Sequence, residues 1–237
     1  MADFYDRFAD RQTLIGVNRR HRAILAWLKR FGLRPDSRVL EIGCGVGTLT
    51  QLLAEALPEG SVLGADLSPK SVAAAEERLA RFGNVELIVG EATEVDIAGR
   101  FDVVVLPDVI EHIPIESHGA LFGRVASWVK PEGFVLAHYP NPHHLEWFHQ
   151  HHPERLQVID QPIHADALLR NVYQHGLYLD YYERYSVWVR EGDYVVAVFR
   201  PAAGVGEFTV LPPPRPSLKA RAGNLRRRLR GIAFGRR

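Results

Sequence analysis

Val39-Leu40-Glu41-Ile42 is a short apolar run that empties into Gly43-Cys44-Gly45-Val46-Gly47, and Leu49, Leu52, Leu53 and Leu57 follow at helical spacing. Strand, glycine loop, helix is the reading that fits this pattern. Glycine at every second loop position suits a backbone that turns tightly and approaches a ligand with no Cβ in the way. The helix beyond the loop aims its unpaired N–H groups at whatever sits there. Gly-x-Gly alone is weak evidence. The dinucleotide fingerprint wants its third glycine where this chain has Thr48, which argues against a nicotinamide dehydrogenase. Two acids sharpen the pattern: Glu41 lies two residues before the first glycine, and Asp66 ends the run Ser61-Val62-Leu63-Gly64-Ala65.

The remaining chain keeps alternating. Ser68 suits an N-cap and Pro69 the first position of a helix over 69–82. A third strand is predicted at 84–89, a fully buried fourth at Phe101–Leu106, a helix at roughly 116–129 and a fifth strand at 133–139. A helix over 165–175 stops at Gly176, and two β-rich runs, Leu177–Val189 and Tyr194–Phe199, are parted by Arg190-Glu191-Gly192-Asp193 as in a hairpin. Alternation of this kind predicts a doubly wound α/β fold, with a mostly parallel sheet, helices on both faces and an antiparallel C-terminal hairpin. Ligands in such sheets bind beyond the carboxyl ends of the strands, where both acids and the glycines fall. Residues 3–32 read as helical, one face carrying Phe4, Tyr5, Phe8, Leu14 and Ile15 and a second Ile24, Leu25, Leu28 and Phe31.

Glu41-Ile42-Gly43-Cys44-Gly45-Val46-Gly47, followed by Gly64-Ala65-Asp66-Leu67-Ser68, resembles the Rossmann-like, class I S-adenosylmethionine-dependent methyltransferases. The resemblance runs from about Phe4 to Arg200 and implies a seven-stranded sheet. It also implies a division into an N-terminal helical lid (1–32) and a methyltransferase domain (33–203) with a histidine-rich acceptor-side insertion (140–163). The implied cofactor is S-adenosylmethionine. Gly43, Cys44, Gly45 and Gly47 form its loop, and Asp66, with Leu67 and Ser68, meets the ribose hydroxyls. Glu91 accepts the adenine amine beside Ala92, Pro107 and Asp108 follow the fourth strand, and Tyr5 reaches over from the lid. Glu41 is expected to brace the loop through backbone N–H groups, with a reach toward the methionine end.

One cysteine among 237 residues excludes an internal disulfide and fits a reducing compartment, and Cys44 reads as a small residue in a tight turn. The start, Met1 to Asp6, is neither basic nor apolar, so no signal peptide and a cytoplasmic location are expected. Nine of the 29 Lys and Arg fall between Arg215 and Arg237 with no acid, so the rest sets 20 basic residues against 28 acidic ones. Such a body is a poor general binder of nucleic acid. Gly204 to Pro216 reads as a linker, and the basic stretch beyond it either stays solvated or lies as an amphipathic helix on an anionic membrane.

A methyl on sulfonium is already an electrophile, so the protein's task is to align an acceptor. An aliphatic hydroxyl benefits from a positioned base, and histidine suits that task near neutral pH. Six of eleven histidines fall between His138 and His152. His144 is the first candidate for the base, His143 the second and His112 the third. Trp147, Phe148 and Tyr173, with Arg155 and Arg170, offer an aromatic and basic wall. His149 and His152 lie three apart and could share a helix face, with Asp108, Glu111 or Glu146 as oxygen partners, but no zinc motif is present and a divalent metal is not favoured. The expected activity is O-methylation of a small molecule: a sugar hydroxyl, a glycan or a specialised metabolite. RNA or protein methylation and a non-catalytic cofactor-binding scaffold are the competing readings.

Overall fold

The computed structural model describes residues 16–202. Tyr5, the rest of the expected lid face over 1–15, the linker and the basic tail lie outside the described residues. The first helix, α1, spans Arg19–Phe31. Asn18 caps it, its Oδ1 accepting the N–H groups of Arg20 and His21 at 2.9 and 3.4 Å while the His21 ring accepts the Asn18 N–H at 3.2 Å. Gly32, with φ 115°, closes it.

Strands β1 (Arg38–Ile42), β2 (Ser61–Asp66), β3 (Val85–Val89), β4 (Phe101–Pro107) and β5 (Val129–Pro140) run parallel to one another. Between them come α2 (Thr48–Ala56), α3 (Pro69–Leu79) and α4 (His118–Trp128). Within the histidine-rich stretch 140–163 lies α5 (Pro142–His151), followed by α6 (Ala165–Tyr173). Asn141 starts α5, its Oδ1 accepting the His143 N–H at 3.2 Å, with Pro142 in the first position. The closing hairpin is β6 (Leu177–Tyr185) and β7 (Tyr194–Pro201), and the sheet order is β3-β2-β1-β4-β5-β7-β6. β7 alone is reversed in the sheet, antiparallel to both β5 and β6, as the hairpin predicts.

Alternate residues of each strand feed two cores. Val39, Val103, Val105, Val196 and Val198 meet Ile24 and Leu28 of α1 and Leu49 and Leu53 of α2 on one face. Leu40, Val104, Leu106 and Phe199 meet Leu121, Phe122 and Val125 of α4 and Leu168 and Val172 of α6 on the other. A sheet buried on both faces needs such near-continuous apolar strands.

The first hairpin strand ends earlier than the sequence suggests, at Tyr185 rather than Val189. Asp193, 1% exposed, accepts the N–H groups of Val187 and Trp188 at 2.7 and 2.9 Å and bends the chain into a loop over 186–193. Alternation of Val187 and Val189 looks like strand, but the buried Asp193 carboxylate takes the Val187 and Trp188 amides away from the ladder. Among the described residues no helix is long and apolar enough to cross a membrane.

Candidate active site

Beyond the carboxyl ends of the parallel strands lies a crevice of about 570 Å³. Its first half follows β1, β2 and β3. Gly43, Gly45 and Gly47 all have positive φ, and at Gly43 (77°) any side chain would run into Val109. The loop is pinned from β2: the Gly43 and Cys44 N–H groups donate to the Ala65 carbonyl at 2.7 and 3.1 Å, and the Gly45 N–H to Asp66 Oδ2 at 2.8 Å. The other Asp66 oxygen accepts the Ser68 N–H at 2.9 Å. Burial raises the Asp66 pKa, and these two N–H groups work against the rise.

Glu41 does not brace the loop as expected. Its Oε2 accepts the Thr50 hydroxyl at 2.7 Å, and burial pushes its pKa up to about 8, the Thr50 bond partly offsetting the rise. The loop amides it was expected to hold are taken by Ala65 and Asp66 instead. Burial likewise holds the Cys44 thiol well above its ordinary pKa, so this side chain is an inert filler of the turn. Glu91 and Ala92, after β3, and Leu67, after β2, line the same half. The Glu91 carboxylate accepts the Thr93 hydroxyl at 3.0 Å. Ser68 is fully buried and caps α3 through the Ser71 N–H at 3.0 Å; it supports Asp66 and does not line the crevice. An apolar wall with the Asp66 and Glu91 carboxylates and a glycine turn fits a nucleoside that carries a cation, as S-adenosylmethionine does.

The second half follows β4, β5 and the β6–β7 loop. Pro107 and Asp108 line it, and Asp108 is the one described non-glycine residue with positive φ, at 55°. Its carboxylate is ion-paired with Arg20 of α1 and accepts from His138 Nδ1 at 2.7 Å. Burial would raise the Asp108 pKa, but the Arg20 guanidinium and His138 outweigh it and hold the carboxyl below its ordinary range. His138, fully buried on β5, accepts the Tyr185 hydroxyl at 2.8 Å on its other nitrogen and stacks on Tyr194 at 4.6 Å. Each member of this network fixes the next, which locks α1 to the carboxyl ends of β4 and β5.

Of the three histidines proposed as base, only His112 lines the crevice. Its Nδ1 donates to the Ile159 carbonyl at 2.7 Å and lies 3.2 Å from Asp160 Oδ1. That leaves Nε2 as the acceptor, with the Gln157 amide nitrogen at 3.1 Å. His143 is turned to the surface, its ring bonded to Glu146 at 3.1 Å, and His144 packs edge-on against Phe148 along α5. Neither reaches the crevice wall, and neither do Trp147, Phe148, Tyr173, Arg155 or Arg170. The wall is built instead by Arg20, His21, Gln157, Trp188 and Tyr194. Of these, Arg20 lies in the first turn of α1, just after the Asn18 cap. His149 bonds the Asp160 carbonyl and His152 faces Glu154, so the two do not converge. Among the described residues no cluster of three His, Cys, Asp or Glu is arranged to hold a metal ion.

Residues 39–133 match the family model described as a methyltransferase domain. Among curated proteins the chain is similar to a magnesium-protoporphyrin O-methyltransferase of Synechocystis, 30% identical over 51% of this chain and 52% of that protein. It is also similar to a ubiquinone biosynthesis O-methyltransferase of Burkholderia pseudomallei, 32% identical over 47% and 48%. The aligned stretch thus spans about half the length of these curated relatives. Among solved structures, magnesium protoporphyrin IX methyltransferase of Synechocystis with bound SAH superposes with a TM-score of 0.60 at 22% identity, over 76% of this chain and 81% of that one. A S-adenosylmethionine-dependent methyltransferase of Clostridium acetobutylicum gives 0.64 at 13% identity, over 82% and 96%.

Proposed function

We propose that this chain is a class I S-adenosylmethionine-dependent methyltransferase that methylates a hydroxyl of a small molecule, with His112 as general base. The observation that carries this reading is the meeting, in one crevice, of the glycine loop, Asp66 and a histidine whose tautomer is set. Bound S-adenosylmethionine supplies a methyl on sulfonium for in-line displacement. Asp66 would hold its ribose through the carboxylate lone pairs that Gly45 and Ser68 leave, and Glu91 its adenine.

The chain's own work is to hold the acceptor and take its proton. The acceptor hydroxyl displaces the Gln157 amide from His112 Nε2, which then takes the hydroxyl proton as the new O–C bond forms, and Nδ1–H stays on the Ile159 carbonyl. The Asp160 carboxylate, 3.2 Å away, stabilises the imidazolium that results. The Arg20–Asp108–His138 network fixes the floor on which the acceptor rests. The relatives named as O-methyltransferases of magnesium-protoporphyrin and of ubiquinone biosynthesis support an oxygen of a small molecule over nucleic acid as the acceptor.

The test is methyl transfer from labelled cofactor to a panel of hydroxylated acceptors. His112→Ala should lower kcat by about 10²–10⁴ while calorimetry finds the cofactor affinity nearly unchanged. His144→Ala should stay close to the parent. Full turnover in the His112 variant would remove the base from this scheme, and cofactor binding with no transfer to any acceptor would favour a scaffold.

A further inference from the structure

Trp188 is 58% exposed, yet it lines the crevice. It does not sit on a loose tip. Its N–H is held by the buried Asp193 carboxylate at 2.9 Å, and the Asn141 side-chain amide donates to the Gly192 carbonyl at 2.7 Å, tying the same loop to the end of β5. The Asn141 N–H also donates to the Asp193 carbonyl at 2.8 Å. A large ring on a braced loop, left open to solvent at the mouth of a cavity, loses apolar burial unless a ligand covers it.

The charges around it cancel. Arg20 is paired with Asp108, and His21, its pKa lowered to about 4 by burial and then by Arg20, is neutral at ordinary pH. Gln157 adds a second demand: among the described residues its buried Oε1 has no hydrogen-bond partner, while its amide nitrogen lies 3.1 Å from His112 Nε2. An orphaned carbonyl oxygen in a cavity wall calls for a donor from outside.

Resting on the methyltransferase reading above, we propose that the acceptor is an uncharged ring that stacks on Trp188 and carries a second hydrogen-bond donor beside its reacting hydroxyl. Trp188 and Gln157 are then the residues that select it: the indole takes the ring face, and Gln157 Oε1 accepts from the neighbouring hydroxyl. Both an aromatic diol and a sugar ring have this chemistry.

The experiment is titration, at about pH 6 so that the phenols stay protonated while the carboxylate is ionised, of four probes into the full chain holding demethylated cofactor: protocatechualdehyde, its charged counterpart protocatechuate, para-hydroxybenzaldehyde and methyl β-glucoside. Protocatechualdehyde or the glucoside should bind, whichever it is naming the source of the ring. Protocatechuate and the monohydroxy probe should each bind about tenfold more weakly than protocatechualdehyde if the aromatic source is correct. Trp188→Ala should weaken the bound ring about tenfold or more, and Trp188→Phe by less than about threefold, with cofactor affinity unchanged in both. Equal ring affinity in Trp188→Ala overturns the proposal, as does tighter binding of the charged probe. Cofactor binding without any ring binding overturns it too and leaves the methyltransferase reading standing. Failure to bind cofactor overturns both.

Discussion

Asp66 has two tasks that pull on the same carboxylate. Each oxygen already accepts one backbone N–H, at 2.8 Å from Gly45 and 2.9 Å from Ser68, and each retains a lone pair for a ligand. A hydrogen bond to a charged group contributes about 1.5–3 kcal/mol, so Asp66→Ala should weaken cofactor binding by about ten- to a hundredfold or more. Calorimetry reads this directly, and unchanged affinity would remove Asp66 from the site. Asp66 and the glycines were legible because their work is local: a turn, a cap and a strand end lie within a few residues of each other. The base was not. Six histidines between 138 and 152 look like a reactive cluster, but α5 turns His143 outward and packs His144 on Phe148. Asp160 and Gln157 approach His112 across about 45 residues of sequence, a distance that periodicity does not bridge.

The loop between β6 and β7 shows how one buried side chain overrides a strand pattern. Asp193 binds two amides that would otherwise extend β6, and in doing so it presents Trp188 to the crevice. Asp193→Ala leaves both amides without their acceptor inside a tight loop. The expected cost is about 1–3 kcal/mol in urea unfolding, with a rise in acceptor KM similar to that of Trp188→Ala and little change in cofactor affinity. A stability loss with no change in KM would mean that Trp188 keeps its place without this brace. Every strand and every helix expected within the described residues is present, because apolar alternation and caps speak for themselves along the chain. Element ends were less legible: β5 begins at Val129 rather than 133 and α3 stops at Leu79 rather than 82. Such ends are decided by partners elsewhere in the sheet.

The sheet as a unit carries a pH signature. Glu41, 1% exposed at the end of β1, has an ordinary pKa of 4.5 when unfolded and about 8 when folded. The folded state therefore favours the neutral acid. The stability this leaves intact is full below about pH 4.5 and is lost as pH rises through about 8. Glu41→Gln cannot ionise and keeps an acceptor for Thr50. Its Tm should match the parent's at acid pH and exceed it by a growing margin across that window, levelling off above it. Thermal unfolding of the ligand-free protein at a series of pH values tests this, and a margin independent of pH would place the ionisation elsewhere.

Strand β7 lies between β5 and β6, so Val129–Pro140 has no partner on its outer edge until residues 194–201 have been made. During synthesis the glycine turn and its aspartate can assemble while the far side of the groove still lacks Trp188 and Tyr194. A growing chain would thus gain its nucleoside grip before it owns a place for the molecule to be altered. Until that late strand docks, it also carries a bare apolar edge that neighbouring chains can join.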